Sequence, residues 1–306
     1  MLFKKNKTTL SEIKELKFDL EKDLQELVEE NIDQVFSLQF VASEFQLNSL
    51  RIDTLAFDQE SNAFVIIEYK RDKSFSVIDQ GYAYLSLMLN NKAEFILLYQ
   101  EKIGKLIKKD AISWSETKVI FVANSFTAHQ RQAINFKDLP IELWEAKRYT
   151  GDVYSFSPIK AGRHTESIKT ISKDETISKV SKEVKTYTIE DHAKPGWNNS
   201  RELYEELKEQ LLDLDERLDE NIVKAYIGFK IGAKVVVGVK VHKSKLVIEF
   251  FRVRPQDLQD PEGRLREMKN AMKHYNKYVS MMDVSSSDDI QYAMLLVRQL
   301  IKKLFS

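Results

Sequence analysis

Two short apolar runs, residues 50–57 and 63–69, are separated by polar residues around Asn62 and predict a β-hairpin. Apolar residues recur at helical spacing upstream (Leu20, Leu24, Leu27, Val28, Ile32), which predicts one long amphipathic helix or two over 10–36. The aromatic-rich stretch 36–46 predicts a strand leading into the hairpin. After it, Val77, Tyr84, Leu85 and Met88 predict a helix over 76–90. The pattern then alternates: strands at 94–99, 118–123 and 141–145, with helices at 102–109 and 127–136. Strands interleaved with helices imply an α/β fold, a mixed sheet flanked by helices.

The pattern changes at 157–186, where Ser, Thr, Lys and Glu dominate without a clear period, and this segment reads as a polar linker between domains at 1–156 and 187–306. The C-terminal part has a helix from Ser200, with its N-cap at Asn199 or Ser200 and Leu203, Leu207, Leu211 and Leu214 on one stripe. Strands follow at 223–230, 234–242 and 245–252, and a helix at 285–305. The expectation is a smaller α+β module with an antiparallel sheet. On one of its faces Lys234, Lys240 and His242 alternate with Val236 and Gly238. Basic side chains beside Tyr226, Phe229 and Trp197 would grip nucleic acid by charge and stacking, or that face simply meets water.

Composition narrows the classes. The chain has 306 residues, enough for two domains, and its 43% hydrophobic content can fill proper cores. It has no Cys, which excludes disulfides, thiol nucleophiles and thiolate metal sites and suits a cytoplasmic protein. No run approaches the ~18 apolar residues of a membrane span. P-loop, dinucleotide-binding and serine-hydrolase signatures are absent, and the five His residues show no metal-ligand spacing. The formal net charge is zero, so any nucleic-acid partner must be held by local patches such as Lys70, Arg71 and Lys73.

The hairpin carries the candidate chemistry. Alternation places Ile66, Glu68 and Lys70 on one face of the second strand, and Val65, Ile67 and Tyr69 on the other. A carboxylate at the end of so apolar a strand is costly unless paired or bound to a metal. Asp53 on the neighbouring strand brings a second acid towards Glu68, and two such acids repel unless a proton or a cation lies between them. Hard oxygen ligands with room for water and phosphate suit Mg²⁺ or Mn²⁺. Lys70 then reaches a bound water or a phosphate, the outline of metal-assisted phosphodiester hydrolysis.

The sequence Arg51-Ile52-Asp53, then Glu68-Tyr69-Lys70, then Gln80-x-x-x-Tyr84 resembles the PD-(D/E)XK nuclease superfamily, in particular its RecB-like and NucS-like branches. The resemblance spans roughly the first 155 residues and departs where Ile52 replaces the family's Pro. It implies a restriction-endonuclease-like sheet, a metal held by Asp53, Glu68 and the Tyr69 carbonyl, and Lys70 acting on the attacking water. Gln80 and Tyr84 would position phosphate or a ligand. A first-helix acid is also implied, for which Glu21 is the best match and Glu26 the next. Read from charge rather than from the resemblance, Arg71 and Lys73 either contact nucleic acid, DNA in the first instance, or belong to a solvated strand-to-helix loop. The C-terminal module, through residues 189–197, 226–230 and 250–255, resembles a domain of unknown function labelled 5655. The sequence leaves open DNA against RNA, strandedness and homodimerisation. It also leaves open a non-catalytic nucleic-acid- or protein-binding role on a nuclease scaffold in a restriction, repair or defence system.

Overall fold

The computed structural model describes residues 1–70, 76–136, 139–160 and 174–305. The chain divides into two compact units, Met1–Asp58 with Asn62–Lys185, and Gln59–Ser61 with Thr186–Ser306.

The first unit opens with strands β1 (Leu2–Asn6), β2 (Thr9–Ile13) and β3 (Glu15–Leu16), then helices α1 (Glu21–Glu30) and α2 (Ile32–Phe36). Strands β4 (Gln39–Leu47), β5 (Leu50–Asp58) and β6 (Ala63–Lys70) follow, then α3 (Val77–Asn90) and α4 (Lys92–Ile103). The unit continues with β7 (Lys118–Ala123), α5 (Ala128–Ala133), β8 (Ile141–Tyr149), β9 (Val153–Pro158) and α6 (Glu175–Glu183). The main sheet has the order β3-β8-β7-β6-β5-β4, with β9 paired to β8. Strands β6, β7 and β8 are parallel, while β4, β5 and β6 form an antiparallel meander. This is the expected mixed sheet flanked by helices.

The eight residues of β6 are buried except Lys70, as a central strand covered on both faces requires. Phe64 and Ile66 join the core with Val77, Leu85 and Met88 of α3 and Phe95 of α4, and the opposite face is covered by α1. Gly81 sets how closely α3 lies on the sheet. A Cβ there would stand 2.4 Å from Ile141 Cδ1 of β8, so a larger residue would force the Ile141 side chain or the helix to shift.

Four expectations for the first unit are corrected. Residues 10–20 are not helical: β1 and β2 form a separate exposed hairpin, and helix begins at Glu21. The run 94–99 is helix rather than strand, because Phe95 and Tyr99, four apart, are buried while Leu97 between them is 59% exposed. The helix expected at 102–109 does not form: Lys102 and Ile103 end α4, which stops at Gly104 in a left-handed C-cap, and residues 104–108 are irregular. Within the segment read as a polar linker, α6 is an ordered helix, its Ile177 and Val180 and the following Val184 buried in the first unit's core.

The second unit contains α7 (Ile189–His192), α8 (Asn198–Leu214), β10 (Leu218–Ile222), β11 (Ile227–Ile231), β12 (Lys234–Val241) and β13 (Leu246–Phe251). It ends with β14 (Arg266–Glu267), α9 (Ala271–Tyr275), β15 (Val279–Val284) and α10 (Ser287–Phe305). Its sheet is antiparallel, order β10-β11-β12-β13-β15-β14, with α8 and α10 packed on one face. The N-cap of α8 is Trp197, ahead of the expected Asn199 or Ser200. Ser200 is buried, its Oγ donating to the carbonyls of His242 and Lys243. The basic stacking face does not form as expected. Tyr226 and Phe229 are buried, and Lys240 is held by the buried carboxylate of Glu249 at 2.5 Å.

Candidate active site

The site is assembled where β5 and β6 part. The ladder between them is regular from Asp58–Ala63 up to Thr54–Ile67. At the next position the side chain of Asp53 takes over, Oδ2 accepting from the Tyr69 amide at 3.1 Å. That bond brings Asp53 alongside the end of β6, where Glu68 is 3% exposed. Lys70 Nζ donates to Glu68 Oε1 at 2.8 Å, and Gln80 Nε2, from the first turn of α3, donates to the same oxygen at 3.2 Å. Glu68 Oε2 is buried with no hydrogen-bond partner. Asp53, Glu68, Lys70 and Gln80 are thus brought together, and Tyr84, one helical turn after Gln80, lies close enough for Glu68 to act on its hydroxyl.

The electrostatics follow from this packing. Burial, and then the charge of Glu68, push the Asp53 carboxyl up to about 7, against the opposing Tyr69 amide and Lys70. Two carboxyl groups in a place with little water cannot both ionise freely. Tyr84 is buried on the same helix as Gln80 and donates to the Arg51 carbonyl at 3.0 Å. Burial and then Glu68 raise its pKa. Its hydroxyl therefore braces the start of β5 in its neutral form.

Glu21 opens α1 and is exposed, as is Glu26. Among the described residues no group of three or more His, Cys, Asp or Glu gathers as a metal cluster, so neither acid joins Asp53 and Glu68 in one. Arg71 and Lys73 lie outside the described residues.

Sequence reasoning passed over the polar layer beneath Asp53. Gln25 Nε2, one turn after Glu21, lies 3.0 Å from the Asp53 carbonyl, from Ser43 Oγ and from Glu29 Oε1. Thr54 Oγ1 bonds Glu29 and lies 3.2 Å from Tyr69 Oη. A buried Gln bordering an apolar stripe was the available signal, since Leu24 and Val28 flank it. Asn124, which follows the Ala123 paired with Lys70, was also missed. Its buried Oδ1 has no hydrogen-bond partner.

Among the described residues, no helix is long and apolar enough to cross a membrane. Comparison with known proteins gives three results. The family model described as "Domain of unknown function (DUF5655)" matches residues 189–297. The solved "Structure of EndoMS-dsDNA2 complex" matches with 17% identity over 42% of this chain and 47% of that chain, at a TM-score of 0.25. A protein of Haemophilus influenzae described as uncharacterized is 40% identical over 303 residues, 98% of this chain and 99% of the relative. The chain therefore belongs to one family with this Haemophilus influenzae protein, and it carries a DUF5655 domain at its C-terminal end.

Proposed function

We propose that the first unit is a divalent-cation-dependent nuclease that hydrolyses phosphodiester bonds, with DNA as substrate. The observation that carries the reading is a pair of adjoining carboxyl groups at one strand end, Glu68 buried and Asp53 half-buried. One is held near neutral pKa by burial and by the other's charge, and the other keeps an unpartnered buried oxygen. Such a pair is poorly explained as scaffold, because a buried carboxylate costs stability unless something shares its charge. It fits a hard cation such as Mg²⁺ or Mn²⁺, with Asp53, Glu68 and the Tyr69 carbonyl as the oxygen set. When bound, such an ion supplies Lewis-acid polarisation of a phosphoryl oxygen and a more acidic water.

The chain's own residues divide the remaining work. Gln80 and Lys70 both hold Glu68 Oε1, which leaves Oε2 as the oxygen available for ligation. The Lys70 ammonium lies at the strand end, its side chain 19% exposed, where it would orient an attacking water and offset charge building on the phosphate. Gln25, bonded to the Asp53 carbonyl, holds that strand in register beside the site.

The test is a cleavage panel of single-stranded, double-stranded and branched DNA and of RNA, with Mg²⁺, Mn²⁺ or EDTA, alongside a thermal melt. Metal-dependent cutting lost in Lys70→Ala, with a metal-induced rise in melting temperature lost in Glu68→Ala, is the expected result. Cutting by both variants at the parent's rate would refute the assignment. A nuclease scaffold that binds without cutting would give neither effect.

A further inference from the structure

The first 13 residues form a feature that the nuclease reading does not use. Strands β1 and β2 make a two-stranded sheet of their own, with Leu2 opposite Ile13, Lys4 opposite Ser11 and Asn6 opposite Thr9. Every residue of the two strands is exposed except Ile13, which is half-buried. An isolated hairpin is marginally stable in water and gains from a partner. Its exposed surface is basic. Residues 1–17 contain five lysines and two glutamates, in a chain whose formal net charge is zero. Lys4, Lys5 and Lys7 form no ion pair among the described residues, whereas Lys147 near the ribbon's base is paired with Glu15. An open cleft between ribbon and sheet is lined by Leu2, Lys14, Lys147 and Tyr149.

Topology places this ribbon at the site's end of the sheet. Strand β3 pairs antiparallel with the C-terminal end of β8, Glu15 opposite Tyr149, and Thr150 N donates to the Lys14 carbonyl at 2.9 Å. Strand β8 is parallel to β7 and β6, with Glu145 level with Ala123 and Ala123 level with Lys70. The chain ahead of Glu15 therefore lies beyond the end at which Lys70 sits. The ribbon's base is three strand spacings to the side, about 14 Å, and four residues further along, about 13 Å. The resulting separation of about 19 Å corresponds to roughly five to six base-pair steps at about 3.4 Å each.

We propose that the β1–β2 ribbon is a duplex-DNA-binding arm whose Lys4, Lys5 and Lys7 engage phosphates, its base lying about six base pairs from the bond held at Glu68 and Lys70. A two-stranded ribbon fits the major groove of B-form DNA, while the deep, narrow major groove of A-form RNA does not admit side chains. The inference rests on the nuclease reading of the site.

The experiment measures binding of a fluorescent 30-base-pair duplex to the full-length chain by anisotropy over a salt series. It compares Lys70→Ala with the same chain carrying Lys4→Gln, Lys5→Gln and Lys7→Gln. The triple substitution is expected to lower the slope of log K against log salt by about 2 to 3, one lysine to one phosphate, with the thermal melt unchanged. On the otherwise unaltered chain, the same substitutions should slow cleavage of the long duplex and leave cleavage of a duplex too short to reach the arm at the parent's rate. An unchanged slope despite tight duplex binding would overturn the arm and leave the site assignment standing. Loss of binding that accompanies a dimer-to-monomer change in sedimentation would overturn it in favour of a second copy of this chain. A parent chain that neither binds nor cuts any nucleic acid would defeat the site reading itself, and the arm with it.

Discussion

Each unit buries a glutamate of its sheet against a lysine, Glu68 with Lys70 and Glu249 with Lys240, and these two pairs differ in what surrounds them. In the second unit Glu249, 0% exposed, faces Gly238 across the middle of β12 and β13, and its Oε1 lies 2.5 Å from Lys240. Tyr226, Phe251 and Tyr275 form an aromatic cluster there. Burial opposes the lysine's charge, but Glu249 outweighs it and the Lys240 pKa is raised. In the first unit Glu68 is nearly as buried and has a comparable lysine contact. It also has Asp53 beside it, a Gln80 amide on the lysine's oxygen, and a position at the end of its strand. Each glutamate has a second oxygen without a hydrogen-bond partner. A buried Glu–Lys pair with an idle oxygen is therefore not sufficient evidence of a site. The second carboxyl group and the strand-end location distinguish Glu68.

The sharpest way to break this comparison is to remove each lysine in turn. Lys70→Ala should reduce cleavage by about 10² to 10⁴, the range for a positioned acid–base group, at modest cost in stability because Gln80 still donates to Glu68 Oε1. Lys240→Ala should leave cleavage at the parent's level and lower stability by roughly 2 to 3 kcal/mol, since Glu249 would stay buried without its cation. Denaturant titration and a cleavage assay on both variants read the difference. Equal effects on both properties would erase the distinction.

A smaller effect is expected at Gly81. Gly81→Ala forces Ile141 or the helix to move, which should destabilise the chain by about 1 to 3 kcal/mol. It should also slow cleavage several-fold by shifting Gln80 away from Glu68. A denaturant melt with a cleavage rate tests this, and unchanged cleavage in a clearly destabilised variant would detach Gln80 from the chemistry.

The smallest effect concerns pH. Because the Asp53 pKa is raised from 3.8 to about 7 in the fold, the folded state binds the extra proton between those values. Asp53 therefore contributes metal-free stability that is fully present below about 4 and is lost as pH rises through 7. Its slope stays below the one-proton limit of about 1.4 kcal/mol per unit, as Asp53 is partly solvated. Asp53→Asn should flatten the dependence of melting temperature on pH, and an identical profile would place the titration elsewhere.

Much of the site was legible because its signals are local. The alternation in 63–70 fixed which side of β6 Glu68 and Lys70 occupy, and the spacing of Gln80 and Tyr84 put both on one helix face. What escaped depends on partners distant in sequence. Gln25 reads as one more polar helix residue until Ser43 and the Asp53 carbonyl are brought to it. The run from Phe95 to Tyr99 is apolar enough for either element, and only the exposure of Leu97 separates helix from strand. The ribbon at the N-terminus buries almost nothing, so no apolar period marks it. Strand β10, Leu218–Ile222, is similarly polar.

Helix α6 changes where the two halves can be separated. Its apolar side, with Ile177 and Val180, completes the first unit's core, Glu183 pairs with Lys92 of α4, and the Lys185 amide is bonded to the Ser115 carbonyl. Recombination or proteolysis near residue 156 would strip that covering and leave a sticky, poorly folding fragment. The chain boundary between the halves lies after Lys185, with the β5–β6 turn Gln59–Ser61 belonging to the second unit.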